Sequence, residues 1–177
     1  MLQVVFTESQ RSGQTWWVFL LILAVAIFVG IRLSRMKKEG KKITLALKLL
    51  LITCGVLPCV FIFIFMCMKL NTRIDNTAVY YGFSLSDNAS EKIPWSSVQK
   101  AYVRQYKPLA EYGGWGMREG TRDSDRAFNV AGDMGLQLQY DKGNRMLIGT
   151  QKPEEIRQLL RQLVQAGIVK DTTPIRD

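Results

Sequence analysis

The segment ITLALKLLLITCGVLPCVFIFIFMCM, residues 43–68, decides how the chain is organised. Residues 49–68 carry no charge, and a helix of that length measures about 30 Å at roughly 1.5 Å per residue. This length matches the hydrocarbon thickness of a bilayer. The segment therefore predicts a membrane-spanning helix, with a buried helix of a soluble domain as the alternative.

A second apolar run, residues 16–33, precedes this segment and predicts another span. Trp16 and Trp17 at its start suit the headgroup region, and Arg32 near its end can extend to the phosphates. With a basic connector at 34–42, spans at 16–33 and 43–69 predict an N-terminal transmembrane hairpin. The expected location is a multi-pass integral membrane protein. The basic connector and the missing signal peptide point to opposite orientations, so the side of the C-terminal domain stays open.

The positive charge of the chain is concentrated near the two predicted spans. Of the net charge of +9, residues 1–68 contribute +6. This distribution favours the lipid bilayer as a partner and argues against nucleic acid, which would require a basic face on the C-terminal domain. A solvated basic loop is the alternative. The candidate contacts with lipid headgroups are Arg35, Lys37, Lys38, Lys41 and Lys42.

After residue 69 the hydrophobic pattern changes to alternation, which predicts β-strands. In AVYYGFSL (78–85), Val79, Tyr81 and Phe83 are predicted on one face and Tyr80 on the other. KAYVRQY (100–106), AFNVA (127–131), LQLQY (136–140) and RMLIG (145–149) are further strands, and the intervening GDMG and DKGN predict turns. The pattern predicts about seven short antiparallel strands in a small barrel or sandwich.

An amphipathic helix is predicted at 153–166. Pro153 suits its first turn, Glu154 and Glu155 suit its positive end, and Gly167 is placed to end it. Its apolar stripe should lie against the sheet, and it consists of Ile156, Leu159, Leu160, Leu163 and Val164. The predicted division is a tail at 1–15, the hairpin at 16–69, a β domain at 70–170 and a tail at 171–177. The predicted fold class is thus an α+β membrane protein.

The order of strands followed by a C-terminal amphipathic helix resembles that of pleckstrin-homology-like domains. The runs FTESQRSGQTWW, TRID, IPW, YGGWGMR, FNVAG and LIGTQKPEEI resemble an uncharacterised family of bacterial two-span membrane proteins with such a domain. YGGWG and IGTQKPEE are the most specific of these runs. The resemblance covers nearly the whole chain and implies an architecture and a bacterial inner membrane, without an activity, substrate or catalytic residue.

Catalytic and metal chemistry find little support in the composition. The chain has no histidine, which is the commonest general base and metal ligand, and its three cysteines all lie within residues 43–68. Asp123, Asp125 and Asp133 are close in sequence, but the interleaved arginines favour a solvated, self-paired loop over a metal site. We therefore expect no cofactor, no metal, no catalytic residue and no enzymatic activity.

The segment YGGWGMR (112–118) is the best candidate for binding. Three glycines allow a tight turn that displays Trp115, with Tyr112 three residues before it and Arg118 three residues after. An aromatic side chain and an arginine on a loop are typical of interface anchors. The alternative is structural, with Trp115 closing one end of the barrel and Arg118 paired with a carboxylate.

The resulting hypothesis is a membrane-anchored binding or scaffolding module. Its partner would be another membrane protein, a copy of itself or a lipid headgroup. One alternative is an enzyme that acts on a membrane-bound substrate through Asp, Glu and Arg alone. The other is a purely structural membrane subunit.

Overall fold

The computed structural model describes residues 5–11, 16–38, 44–45, 57, 60, 67–86, 88–120, 124–141 and 143–173. The chain divides into two compact units. One consists of residues 12–67, and the other, which we call the β unit, consists of residues 1–11 and 68–177. The described strands all belong to the β unit.

In the first unit, helix α1 spans Trp16–Lys38. It begins where the apolar run begins and continues into the residues predicted to form the basic connector. Its exposed large apolar side chains are Leu20, Leu21, Leu23, Ile27, Phe28 and Ile31. The second predicted span, residues 43–69, lies almost wholly outside the described residues.

No helix within the described ranges is both long enough and apolar enough to cross a membrane. For this part of the chain, the prediction of a transmembrane hairpin, and with it of a multi-pass integral membrane protein, is wrong. The uncharged part of α1, residues 16–31, measures about 24 Å, which is less than the hydrocarbon thickness of about 30 Å. Beyond it α1 carries the basic residues Arg32, Arg35, Lys37 and Lys38.

The predicted fold class also differs from what the structure shows. The described chain is mostly β-sheet, arranged in two sheets with few helices. Sheet A is antiparallel, with strand order β1-β2-β3-β4. Its strands are β1 (Phe6–Gln10), β2 (Lys69–Ile74), β3 (Ala78–Ser84) and β4 (Glu91–Pro94).

Sheet B has strand order β5-β8-β9-β7-β6. A single 3₁₀ turn, Trp95–Ser97, leads from sheet A into it. Its strands are β5 (Val98–Gln105), β6 (Gly116–Glu119), β7 (Asp125–Asn129), β8 (Met134–Tyr140) and β9 (Asn144–Gly149).

Strand β7 departs from the predicted antiparallel order. It pairs in parallel with β9, whereas β8 lies on the other side of β9. The turn at GDMG therefore carries the chain across β9 instead of forming a hairpin. The DKGN turn does form the predicted β8–β9 hairpin, with Asp141 and Gly143 at positive φ.

The alternation predicted for the strands is confirmed where it places side chains in the core. Val79 and Tyr81 are buried between the sheets, and Phe83 packs against the same core. Trp95 is also buried, and its indole donates a 2.7 Å hydrogen bond to the Asp75 carbonyl. The core is shared by both sheets, so the β unit is a sandwich.

The short helix α2 spans Pro108–Tyr112, and helix α3 spans Pro153–Gln165, close to the predicted bounds for the C-terminal helix. The buried side chains of α3 are Ile156, Leu159, Leu160 and Leu163, which belong to the same core as the two sheets. Val164, the fifth residue of the predicted stripe, is exposed. Gly167 follows the helix at φ 71°, as its predicted terminating role requires.

Both predicted tails contain ordered segments. Residues 6–10 form β1, whose Glu8 carboxylate accepts hydrogen bonds from the Thr150 hydroxyl (2.6 Å) and the Gln151 amide (2.9 Å). At the other end, Asp171 accepts a hydrogen bond from the Ala101 amide and pairs with Lys100 at 3.2 Å. The C-terminal segment thus covers the outer edge of β5.

The packing of α3 predicts different effects for two adjacent substitutions. Leu163→Ala removes a buried side chain from the shared core and should lower the free energy of unfolding by about 2–5 kcal/mol. Val164→Ala removes an exposed one and should change it by less than about 0.5 kcal/mol. Urea denaturation of the full chain, followed by tryptophan fluorescence, measures both. Equal losses would contradict the placement of α3.

Candidate functional site

The outer face of sheet B, which points away from the sandwich core, is covered by the segment between β5 and β6. This segment leaves the edge strand β5 and arrives at the opposite edge strand β6. It contains the short helix α2 (Pro108–Tyr112) and the turn at Gly113–Gly114 that leads to Trp115. The binding segment predicted from the sequence lies in this cover.

Local sequence explains why α2 is short. Pro108 occupies its first turn, where its missing amide costs no hydrogen bond. Gly113 ends it in the left-handed conformation at φ 67°, and its amide donates to the Leu109 carbonyl at 3.1 Å. A side chain at this position would strain the backbone. The glycine therefore fixes where the chain turns towards Trp115.

Tyr112 attaches α2 to the sheet. It is buried in a small second core that we call the outer cluster, which consists of Tyr106, Tyr112, Ala127 and Leu147. The rings of Tyr106 and Tyr112 meet edge to face with centroids 6.1 Å apart. Tyr112 is thus an anchor of the segment and is not displayed to a partner.

A half-buried ion pair supports the other side of α2. Arg104 of β5 donates to the Glu111 carboxylate at 2.6 Å and to the Gln137 side-chain carbonyl at 3.0 Å. Burial lowers the pKa of Arg104, because it favours the neutral form. The hydrogen bond and the charge of Glu111 have the opposite and larger effect, so the pKa of Arg104 is raised. The other Glu111 oxygen accepts from the Lys107 amide at 2.7 Å. The helix is therefore held at its start as well as at its end.

Trp115 is the displayed aromatic side chain of the segment. It is 43% exposed, and its indole donates a 3.2 Å hydrogen bond to the Gly132 carbonyl in the turn between β7 and β8. Arg118 is exposed and folds back, so that its Nε donates to the Trp115 carbonyl at 3.0 Å. Of the three predicted residues, Trp115 and Arg118 are brought together at the surface and Tyr112 lies beneath.

A groove of about 570 Å³ runs between α2 and Trp115. Leu109, at 69% exposure, and Trp115 provide its apolar walls. Lys107 and Asp133 add polar groups, and the Asp133 carboxylate accepts a 2.5 Å hydrogen bond from the side-chain amide of Gln105. Such a combination of apolar walls and few polar groups is typical of sites that receive a side chain or a small ligand.

The sequence prediction missed the α2 side of the groove. Leu109 and Lys107 lie before the glycine-rich run on which that prediction was based. The available signal was the pattern PLAEYGG at 108–114, in which a proline and a glycine bracket one helical turn. The pattern is short enough to be overlooked beside the longer α3.

The predicted lipid-contacting residues lie in the other unit of the chain. Arg35 and Lys38 are exposed on α1, and Lys37 belongs to the same helix. Lys41 and Lys42 lie outside the described residues. Their contact with lipid headgroups stays a prediction.

Among the described side chains, no group of three or more Cys, Asp or Glu residues is placed to hold a metal ion. Asp125 is half-buried at the start of β7 and Asp133 belongs to the groove, whereas Asp123 lies outside the described residues. Comparison with protein families, with characterised proteins and with solved structures found no match for the chain. The resemblance seen in the sequence therefore stays a prediction.

Burial of Tyr112 predicts a loss of stability in alkali. Burial raises the pKa of this phenol to about 12, although the nearby Arg104 opposes the shift. The unfolded chain ionises Tyr112 near pH 10, so between pH 10 and 12 the folded state holds more protons and its stability falls as the pH rises. Below pH 10 the raised pKa of Tyr112 contributes its full amount, about 2–3 kcal/mol, to the free energy of unfolding.

The free energy of unfolding, measured from pH 9 to 12, tests this expectation. Tyr112→Phe keeps the buried ring but cannot ionise, so its stability should fall less steeply over this range. Tyr106 and Tyr140, whose pKa values burial also raises, account for part of the remaining slope. Parallel curves for the parent chain and Tyr112→Phe would contradict the burial of the phenol.

Proposed function

We propose that the β unit is a non-catalytic protein-binding module whose recognition surface is the groove between α2 and Trp115. The observation that carries the proposal is the exposure of Leu109 and Trp115 on a segment that is otherwise firmly attached. Large apolar side chains that face water around a concavity are typical of interaction sites. An exposed tryptophan is also among the commonest energetic centres of interfaces.

Preorganisation supports the same proposal. Trp115 is held through its indole by Gly132, and the segment behind it is fixed by buried Tyr112 and by the Arg104–Glu111 ion pair. A groove whose walls are already fixed loses little conformational entropy when a partner binds. The rigid support therefore favours binding through existing side chains over folding upon binding.

The chemistry of the groove favours a protein segment with an exposed apolar side chain. Leu109 and the Trp115 ring would contact that side chain, and Lys107 and Asp133 at the rim would accept polar groups of the partner backbone or its neighbours. A volume of about 570 Å³ accommodates one large side chain with part of its adjoining backbone. A protein partner could contact both the apolar walls and the polar rim of the groove.

An enzyme based on carboxylates is the competing proposal, since Glu111 and Asp133 both line the groove. However, both oxygens of Glu111 accept hydrogen bonds, from Arg104 and from the Lys107 amide, and Asp133 accepts one from Gln105. A general acid or base must be free to exchange a proton with its substrate. The engagement of these carboxylates favours binding.

Substitutions in the groove should remove binding without unfolding the chain. Leu109→Asp places a charge on its apolar wall, and Trp115→Ala removes its aromatic wall. Each should weaken partner binding about tenfold or more, since central interface residues contribute over about 1.4 kcal/mol. Because Leu109 is exposed, its substitution should change the free energy of unfolding by less than about 0.5 kcal/mol.

Leu85→Asp is the matched control, because Leu85 is 61% exposed but lies outside the groove, directly after β3. Proteins retained by the tagged full chain and by Leu85→Asp, but lost with both groove variants, would support the proposal. The thermal unfolding midpoint of each variant shows whether it is folded. Equal retention by all four proteins would contradict the proposal.

A further inference from the structure

A second cleft, separate from the groove, lies on the outer face of sheet A. It has a volume of about 540 Å³, and its side chains are mainly polar. Those that line it include Thr7, Ser9, Asn71, Arg73, Tyr80 and Asn88. This lining is more polar than that of the groove beside Trp115. Hydroxyl and amide groups line the cleft, whereas a leucine and a tryptophan form the walls of the groove.

The strand register explains how these side chains meet. Thr7 of β1 pairs with Arg73 of β2, Arg73 pairs with Tyr80 of β3, and Tyr80 pairs with Lys92 of β4. Paired residues of neighbouring strands point to the same face. One row across the outer face of sheet A therefore carries Thr7, Arg73 and Tyr80, which all line the cleft. The row ends at Lys92, two strand spacings or about 10 Å from Arg73 and outside the lining.

Two contacts fix the orientation of Arg73. Its guanidinium lies over the Tyr80 ring, 5.7 Å from the centroid, and about half of its side chain is exposed. One Nη contacts the Asp75 carboxylate at 3.5 Å. The planar guanidinium has five donors, so these contacts fix its orientation and leave donors for a second oxyanion.

The nearby carboxylates do not neutralise the cleft. Glu8 belongs to its floor, but its carboxylate is buried on the other side of β1, where it binds Thr150 and Gln151. The second oxygen of Asp75 accepts from Thr77 and Ala78. Among the described residues that line the cleft, the charged ones are Arg73 and Glu8, and the Glu8 carboxylate is engaged elsewhere, so Arg73 supplies the charge that faces the cleft.

Residues 88–90 form one wall of the cleft. Gly82 has φ 149°, and a Cβ there would collide with the Ser90 hydroxyl, so the wall lies directly on the sheet. Asn71 is 4% exposed and donates to the Ser86 carbonyl at 2.6 Å, but its own side-chain oxygen is buried without a partner in the described structure. The cleft thus has a fixed wall, and the Asn71 side-chain oxygen beside that wall accepts no hydrogen bond in the described structure.

We propose that this cleft binds a small molecule that carries a carboxylate or phosphate group together with hydroxyl groups. The oxyanion contacts the exposed guanidinium of Arg73, which attracts either anion through charge-assisted hydrogen bonds. The hydroxyls of Thr7 and Ser9 and the Asn88 amide exchange hydrogen bonds with the hydroxylated part of the ligand. Binding here is independent of the groove beside Trp115.

Titration calorimetry of the full chain tests the proposal with four probes: malate, inorganic phosphate, glycerol 3-phosphate and uncharged glycerol. Binding of malate alone identifies a carboxylate ligand, and binding of a phosphate probe identifies a phosphate ligand. In either case Arg73→Gln should weaken binding about tenfold or more, since a charge-assisted hydrogen bond contributes more than about 1.4 kcal/mol. Arg161→Gln, an exposed arginine on α3, should leave it unchanged.

Ser9→Leu provides a second test, because it fills the cleft and leaves the contact between Arg73 and Asp75 intact. It should abolish binding while the thermal unfolding midpoint stays near that of the parent chain. Any one of three results would overturn the proposal. These are no binding of any anionic probe, binding of glycerol as tight as that of the anionic probes, or equal affinity of Arg73→Gln, Ser9→Leu and Arg161→Gln for the same probe.

Discussion

The apolar face of α3 is the constraint on which the β unit depends. Ile156, Leu159, Leu160 and Leu163 are buried in a core that also contains the inner faces of both sheets. A sheet with one apolar face needs a covering layer, and here each sheet covers the other while α3 completes the core. The hydrogen bonds of Glu8 with Thr150 and Gln151 attach β1 to the residues that directly precede α3. These hydrogen bonds connect the first strand with the segment between β9 and α3, far away in sequence.

The two candidate sites follow from this arrangement, because the inner faces of the sheets are occupied by the core. On sheet B, the outer face is covered by α2 and the segment after it, and the groove forms where the cover ends beside Trp115. On sheet A, residues of the β unit around Ser90 lie on the outer face, and the polar cleft forms beside them. One site is apolar and the other cationic, so they suit different ligands.

Sequence periodicity predicted the elements whose environment is set locally. The stripe of α3 and the alternation in β3 depend on residues two to four positions apart. The alternation places its side chains in the core as predicted, and the stripe is buried except for Val164. The pairing of β7 could not be predicted this way, because a strand of five residues has no local signal for which strand will be its neighbour. Strand β1 was missed for a related reason, since its partner β2 lies about sixty residues away.

The candidate site was predicted only in part for the same reason. Glycines around Trp115 indicated a displayed aromatic side chain, and Trp115 is indeed half-exposed beside Arg118. Tyr112 is buried because Ala127 and Leu147, contributed by distant strands, lie beneath it. The apolar runs at 16–33 and 43–69 led to a membrane hairpin that the described helices do not support. In α1 the apolar run gives way to basic residues from Arg32 onward, so its uncharged part is shorter than the hydrocarbon core of a bilayer.

Site-specific photocrosslinking tests the central claim, that the groove binds a protein segment, most directly. A photoreactive phenylalanine analogue replaces Leu109 in the groove and, in a separate protein, the exposed Gln158 on α3. Irradiation of cells that produce the full chain should give a discrete protein adduct from position 109 and none from position 158, and Trp115→Ala should remove it. Identical adducts from both positions, or an adduct that persists without the tryptophan, would contradict the account.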